Sequence, residues 1–108
     1  MSRSVFHTQS HAYAFGVDHA IGTFFQILDR PAKDAESPVA SYNAQYGLDS
    51  GRMETLSPTL QKVLTRLRDR YIRAGDKTNL SEEDVIEVGV ALGLKKEDFA
   101  REVYALWD

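Results

Sequence analysis

The chain has 108 residues, 43% of them hydrophobic and 27% charged, and no cysteine. This composition belongs to one globular domain, 1–108, with enough apolar material for a core, and it excludes a disulfide framework or a thiolate metal site. No apolar run approaches the roughly 20 residues of a membrane span, and the first residues lack a basic-then-apolar leader, so the cytoplasm is the expected location and no membrane partner is expected.

The net charge of −3 conceals an asymmetry. Lys62, Arg66, Arg68, Arg70 and Arg73 crowd into one segment against Asp69 alone. The stretch that follows, Glu82 to Asp108, holds mostly acids against Lys95, Lys96 and Arg101. Such an arrangement is either a polarised surface or two elements that neutralise each other inside the fold; mixed-sign surfaces favour the second.

In chain order, the first strong signal is Tyr13-Ala-Phe-Gly-Val-Asp18-His-Ala-Ile-Gly22-Thr-Phe-Phe-Gln26-Ile-Leu-Asp29, the densest aromatic and β-branched stretch. Tyr13, Phe15 and Val17 alternate with smaller residues as in a strand with one buried face. Thr23 to Leu28 is rich in strand formers, and Gly22 suits the end of a hairpin loop over 18–22. The competing reading is a helix carrying Ile21, Phe24, Phe25 and Leu28 at i, i+3, i+4 and i+7, with Asp18 as N-cap and Pro31 as stop. Gly22 and the β-branched content weigh against it, and a hairpin over 12–29 is favoured. A two-stranded hairpin is marginal alone, and Arg3 to Thr8 is available as a third strand.

The hairpin contains no proline or lysine to discourage edge pairing, so homodimerisation through Tyr13, Phe15, Phe24 and Phe25 is an expectation. The string Tyr13 to Gln26 also resembles a segment of small uncharacterised proteins carried by plasmids and phages. That resemblance implies a mobile-element context and brings no activity with it.

Residues 30 to 36 read as linker. Ser37-Pro38 then gives an N-cap followed by proline at the first helical position. With Val39, Tyr42 and Tyr46 on one face and Gly47 as C-cap, a helix over 38–46 is predicted. Leu48 to Leu56 reads as a second linker. Ser57-Pro58 repeats the start signal, and Leu60, Val63, Leu64, Leu67 and Tyr71 form a helical stripe over 58–73, ending before Gly75. Ser81-Glu-Glu-Asp84 is a capping signature for a helix over 82–92. That helix, with Val85, Ile86, Val88, Val90, Ala91 and Leu92, is apolar nearly all round and belongs in the middle of a bundle. A last helix, 96–107, buries Phe99, Val103 and Leu106 with Trp107 nearby. The predicted fold is therefore α+β, an N-terminal β-hairpin packed on a bundle of about four helices.

Candidate chemistry is sparse. His7 and His11 are four apart, His19 lies in the predicted loop, and no third metal ligand is placed by spacing. Asp76 to Asp84 superficially resembles a calcium loop, but its register puts Arg73 at the first ligand position. No phosphate loop or nucleophile elbow is present, so neither a catalytic residue nor a cofactor is expected.

Two features point toward binding. Lys62, Arg66, Arg70 and Arg73 fall within roughly 80° on one side of the 58–73 helix, opposite its apolar stripe. They form a cationic strip that can meet an acidic protein surface, a nucleic-acid backbone or solvent alone, with an acidic protein preferred to nucleic acid as partner; the competing explanation pairs the strip internally with Glu82 to Asp84. The segment 82–106 has the rhythm of a helix-turn-helix, although Glu97, Asp98 and Glu102 oppose contact with phosphate. The function expected is a small non-catalytic protein-binding accessory factor, an inhibitor or regulator from a mobile element. The alternative is a DNA-binding regulator using residues 82–106.

Overall fold

The structure is a computed structural model that describes residues 2–18, 22–29, 38–44, 46–49, 51–74 and 80–107. Five strands come first: β1 (Ser2–His7), β2 (His11–Asp18), β3 (Gly22–Asp29), β4 (Ala40–Asn43) and β5 (Gly47–Asp49). A 3-10 turn, Met53–Thr55, leads into α1 (Pro58–Ala74), α2 (Glu82–Leu92) and α3 (Lys96–Trp107). The strands form one antiparallel sheet in the order β1-β2-β3-β4-β5, each pairing with its sequence neighbour. No helix among the described residues is long and apolar enough to cross a membrane.

The register explains which residues make the core. Phe6, Tyr13, Ile27 and Ala40 line up across four strands, and Phe15, Phe25, Tyr42 and Leu48 form the next row on the same face. Side chains alternate along a strand, so both rows point toward the helices. They join Leu60, Val63, Leu64 and Leu67 of α1, Val85 and Val88 of α2, and Phe99 and Val103 of α3 in one cluster. The opposite face of β2 carries Ala12, Ala14, Gly16 and, at its end, Asp18. Thr8 closes the β1–β2 turn: its N–H donates to the His11 carbonyl at 2.8 Å and its Oγ1 accepts from the His11 N–H at 2.9 Å.

The fold corrects the expected one. The class is α+β, but five strands replace a hairpin with an optional third strand, and three helices replace about four. Residues 22–29 are strand, not helix. The helix expected over 38–46 is absent among the described residues; β4 takes its place, with β5 beginning directly after that segment at Gly47. Cross-strand pairing decided against the helical pattern there. Ala40 sits opposite Ile27 and Tyr42 opposite Phe25, whose ring stacks on Tyr42 at 5.9 Å. The helical stripe would have buried Tyr46 as well, yet Tyr46 is 72% exposed. Gly47, expected as a C-cap, opens β5 with φ 78°, where a Cβ would lie 2.7 Å from the Tyr71 ring. The expected hairpin loop beyond Asp18, His19, the linker 30–36, the Ser37 cap, Gly75, the loop over 76–79 and the side chains of Leu106 and Trp107 lie outside the described residues.

Local chemistry sets the helix ends. The Leu60 N–H donates to Ser57 Oγ at 3.3 Å at the start of α1. Ser81 and Asp84 form a full capping box on α2, each side chain accepting from the other's backbone N–H. Gly93 closes α2 at φ 117°, and the Leu94 N–H returns to the Gly89 carbonyl at 3.0 Å.

Gly89 also governs how α2 meets the sheet. A Cβ there would stand 2.6 Å from Phe99 Cζ and 3.2 Å from Tyr13 Cε2. Phe99 cannot yield, because its buried ring is boxed in by Phe6, Tyr13 and Phe15. One turn earlier, the Tyr13 hydroxyl donates to the Val85 carbonyl at 2.8 Å in the buried interior. Burial pushes the Tyr13 phenol well above its ordinary range, with the Asp84 charge acting in the same direction, so it stays a neutral donor.

Gly89→Ala should therefore destabilise the protein despite the better helix propensity of alanine. Overpacking costs about 1–3 kcal/mol against a propensity gain of at most about 1 kcal/mol. Urea denaturation should show a lower midpoint with an unchanged slope. A raised midpoint would mean that α2 stands off the sheet.

Candidate functional site

The cationic strip divides in two. Arg70 reaches α2 and donates from Nη1 to Asp84 Oδ1 at 3.2 Å and from Nη2 to Asp84 Oδ2, a fork-to-carboxylate pair. Arg66 Nη2 pairs with Glu87 Oε1 one turn further along α2. Lys62 and Arg73 are exposed. The structure thus brings two of the four predicted binding cations together with acids of the neighbouring helix. Glu87 lies just beyond the Glu82–Asp84 turn that charge counting alone would suggest.

Asp84 holds this junction. Burial raises its pKa and is the largest single influence. The hydrogen bonds from Arg70 and Ser81, with the charge of Arg70, outweigh it and hold the carboxyl below the usual range. Arg70 is pushed above its ordinary value, chiefly by the same hydrogen bond. Tyr42, packed nearby, is raised by desolvation, partly offset by the Arg70 charge.

The residues predicted for self-association are also divided. Tyr13, Phe15 and Phe25 are fully buried under the helices, while Phe24 points to the other side of the sheet and stands outside the core cluster. The hairpin edges that motivated that expectation are occupied, β2 by β1 and β3 by β4, and the sheet edges are β1 and β5. The predicted helix-turn-helix segment is α2, a turn through Gly93, and α3. Alpha-3 buries Phe99 and Val103 and turns outward Lys96, Glu97, Asp98, Arg101, Glu102 and Tyr104. That face carries three acids against two bases.

A Ser–His–Asp array forms at the start of β2. Ser10 Oγ lies 2.8 Å from His11 Nδ1, and His11 Nε2 lies 3.9 Å from Asp29 Oδ1. Its geometry is not that of a charge-stabilised nucleophile. The imidazole–carboxylate separation exceeds a hydrogen bond, and Asp29 Oδ2 is held by Arg52 Nη1 at 2.7 Å. Among the described residues no group of three or more His, Asp or Glu could hold a metal.

The larger concavity was not foreseen from the sequence. A groove of about 400 Å³ runs over the outer side of α2. Ile86, Val90 and Ala91 of α2 line it together with Thr59 and Val63 of α1 and Tyr104 of α3; Glu83, Glu87 and Lys96 supply its charge. Val90 is 46% exposed and Tyr104 42%. The available signal was the all-round apolarity of α2: a helix so built needs cover on every side. With the 38–46 segment drawn into the sheet, no helix of the described residues covers this one. The α1 edge of the groove adjoins the cationic strip through the Arg66–Glu87 pair.

Neither protein-family models, nor curated proteins, nor solved structures match the chain.

Asp84 titration should be visible in stability. Because its folded pKa lies below the unfolded value of about 3.9, its contribution is complete above that pH and is lost as pH falls through the folded value. Asp84→Ala removes both the ion pair and the Asp84 half of the capping box. It should lower stability near neutral pH by about 2 kcal/mol, discounted for the partial exposure of Arg70. It should also flatten the acid limb of a stability-versus-pH curve. Equal acid limbs would show that other carboxylates carry the transition.

Proposed function

We propose that this chain is a small non-catalytic protein-binding factor, an inhibitor or regulator acting in the cytoplasm as part of a mobile element, and that it engages protein through the groove over α2. The observation that carries the reading is the apolar lining of that groove, in which Val90 and Tyr104 are exposed. Exposed apolar surface framed by charged residues is the usual mark of a protein contact, and aromatic residues are enriched there. A groove between two helices with a third as its floor also suits an amphipathic helix laid along it.

The resemblance of Tyr13–Gln26 to mobile-element proteins supports the setting. At Ser10, His11 and Asp29 the carboxylate is committed to Arg52, so this array does not offer a triad. The acidic outer face of α3 weighs against DNA, because like charge repels phosphate.

A photo-crosslinking residue at Val90 should trap a discrete protein in cells that carry the gene. The same residue at Val5, on the far side of the sheet, should not. Val90→Asp should reduce capture at least about tenfold while changing stability little, as an exposed position allows. Capture from Val5 alone, or duplex DNA binding that weakens steeply with salt, would overturn the reading.

A further inference from the structure

We infer that the groove over α2 is occupied by a second copy of this chain, with the two α2 helices packed antiparallel about a two-fold axis. The inference rests on the protein-binding reading above and names the occupant of the same groove.

It starts from spacing. Glu83, Ile86, Glu87 and Val90 stand at i, i+3, i+4 and i+7 and so share one face of α2, the face that lines the groove. The charges on this face are separated by position. Glu83 lies in the first turn of α2, whereas Lys96 opens α3 just beyond the far end of α2. About 14 Å of helix separates the two ends at 1.5 Å per residue. The groove is therefore acidic at one end and cationic at the other, and between them Ile86, Val90 and Ala91 are apolar while Glu87 is paired with Arg66.

A surface of that kind is complementary to itself. Two-fold symmetry places the same patch on both sides of an interface, so each end meets the opposite end of its copy. In the antiparallel arrangement Glu83 of each copy faces Lys96 of the other, which puts the axis near Glu87 and sets Val90 of each copy beside Ile86 of the other. A parallel arrangement would set Glu83 against Glu83 and Lys96 against Lys96. Glu87 adds no conflict, because Arg66 of its own chain already neutralises it.

The distribution of exposed apolar side chains agrees. Among the described residues the large exposed ones are Val5, Tyr46, Ile72, Val90 and Tyr104. Of these, Val90 and Tyr104 converge on this groove. Each Tyr104 ring stands at the mouth of its own groove, where it can close over the partner's α2. The patch is small beside a standard interface, and the association expected is weak, on the order of tens of micromolar.

Sedimentation of the full chain over roughly 5–200 µM should show a monomer–dimer equilibrium in that range. Val90→Asp should abolish it. Glu83→Lys and Lys96→Glu should each weaken association about tenfold, because symmetry makes every charge contact twice and reversal turns both into repulsions. The double variant Glu83→Lys/Lys96→Glu restores both pairs and should recover association to within about threefold of the parent. Circular dichroism melting of each variant establishes that all are folded. A folded parent that stays monomeric at the highest concentration overturns the inference. A dimer indifferent to Val90→Asp, or a double variant no better than the singles, overturns it equally. The broader reading is tested separately: a monomer that still crosslinks a foreign protein through Val90 defeats only the second copy as occupant. A dimer that crosslinks nothing but itself defeats only the foreign partner.

Discussion

The hydroxyl of Tyr13 meets the carbonyl of Val85 at 2.8 Å inside the core, and that bond sets the height of α2 above the sheet. A phenol buried this deeply needs a partner, and the first accessible acceptor is a helix carbonyl. To reach it, α2 must lie almost on the aromatic floor, and only a residue without a side chain permits that at position 89. Phe99 of α3 fills the space that a Cβ at Gly89 would take, against Tyr13 and Phe15. The hydroxyl, the missing Cβ and the Phe99 ring thus hold both α2 and α3 to β2. A helix seated this low between two neighbours leaves a trough above it. The groove is a consequence of core geometry, not an addition to the surface.

Electrostatics fixes the other side of the same helix. The carboxylate of Asp84 caps α2 through Ser81 and grips Arg70 of α1, so a single side chain both starts the helix and ties it to the helix before it. The net value of such a pair is modest when one partner is half exposed. Its effect on register is larger. With Arg66–Glu87 one turn further along, two pairs hold α1 beside α2 at one rotation. That leaves Lys62 and Arg73 as the exposed remainder of the cationic strip.

Much of this was legible in the sequence, and what was not has a common cause. The α1 stripe from Leu60 to Tyr71 and the Ser81–Asp84 cap are local signals, written within a turn or two, and they appear where the residues place them. Strand β3 was readable because Gly22 and the β-branched content outweighed a competing helical pattern. The segment 38–46 misled because its local signals are helical: Ser-Pro at the front, Val39 and Tyr42 three apart, glycine behind. What makes β4 is the row offered by Ile27 and Phe25, residues far back in the chain, and periodicity inside a short window cannot weigh such a partner. Beta-5, three residues long, carries too little pattern to be read at all. The cationic strip was visible by spacing, but its pairing with Asp84 and Glu87 needed the packing angle of two helices.

The misread segment and the unforeseen groove are two aspects of one fact. An α2 that is apolar nearly all round was expected to sit in the middle of a bundle of about four helices. The chain places 38–46 in the sheet instead, where Tyr42 stacks on Phe25 and meets Tyr71 edge-on. The aromatic floor gains an extra row, and α2 keeps an apolar stripe without the cover its composition calls for. Burial of such a stripe is favourable in proportion to area, whichever chain supplies the cover. Charges at its two ends then select among candidates, since a covering helix must present a cation near Glu83 and an acid near Lys96. The outward face of α2, reversed end for end beside its own Lys96, satisfies both conditions. An apolar stripe in excess of what one chain can cover, bounded by opposite charges, is thus the feature of the internal packing from which association is proposed.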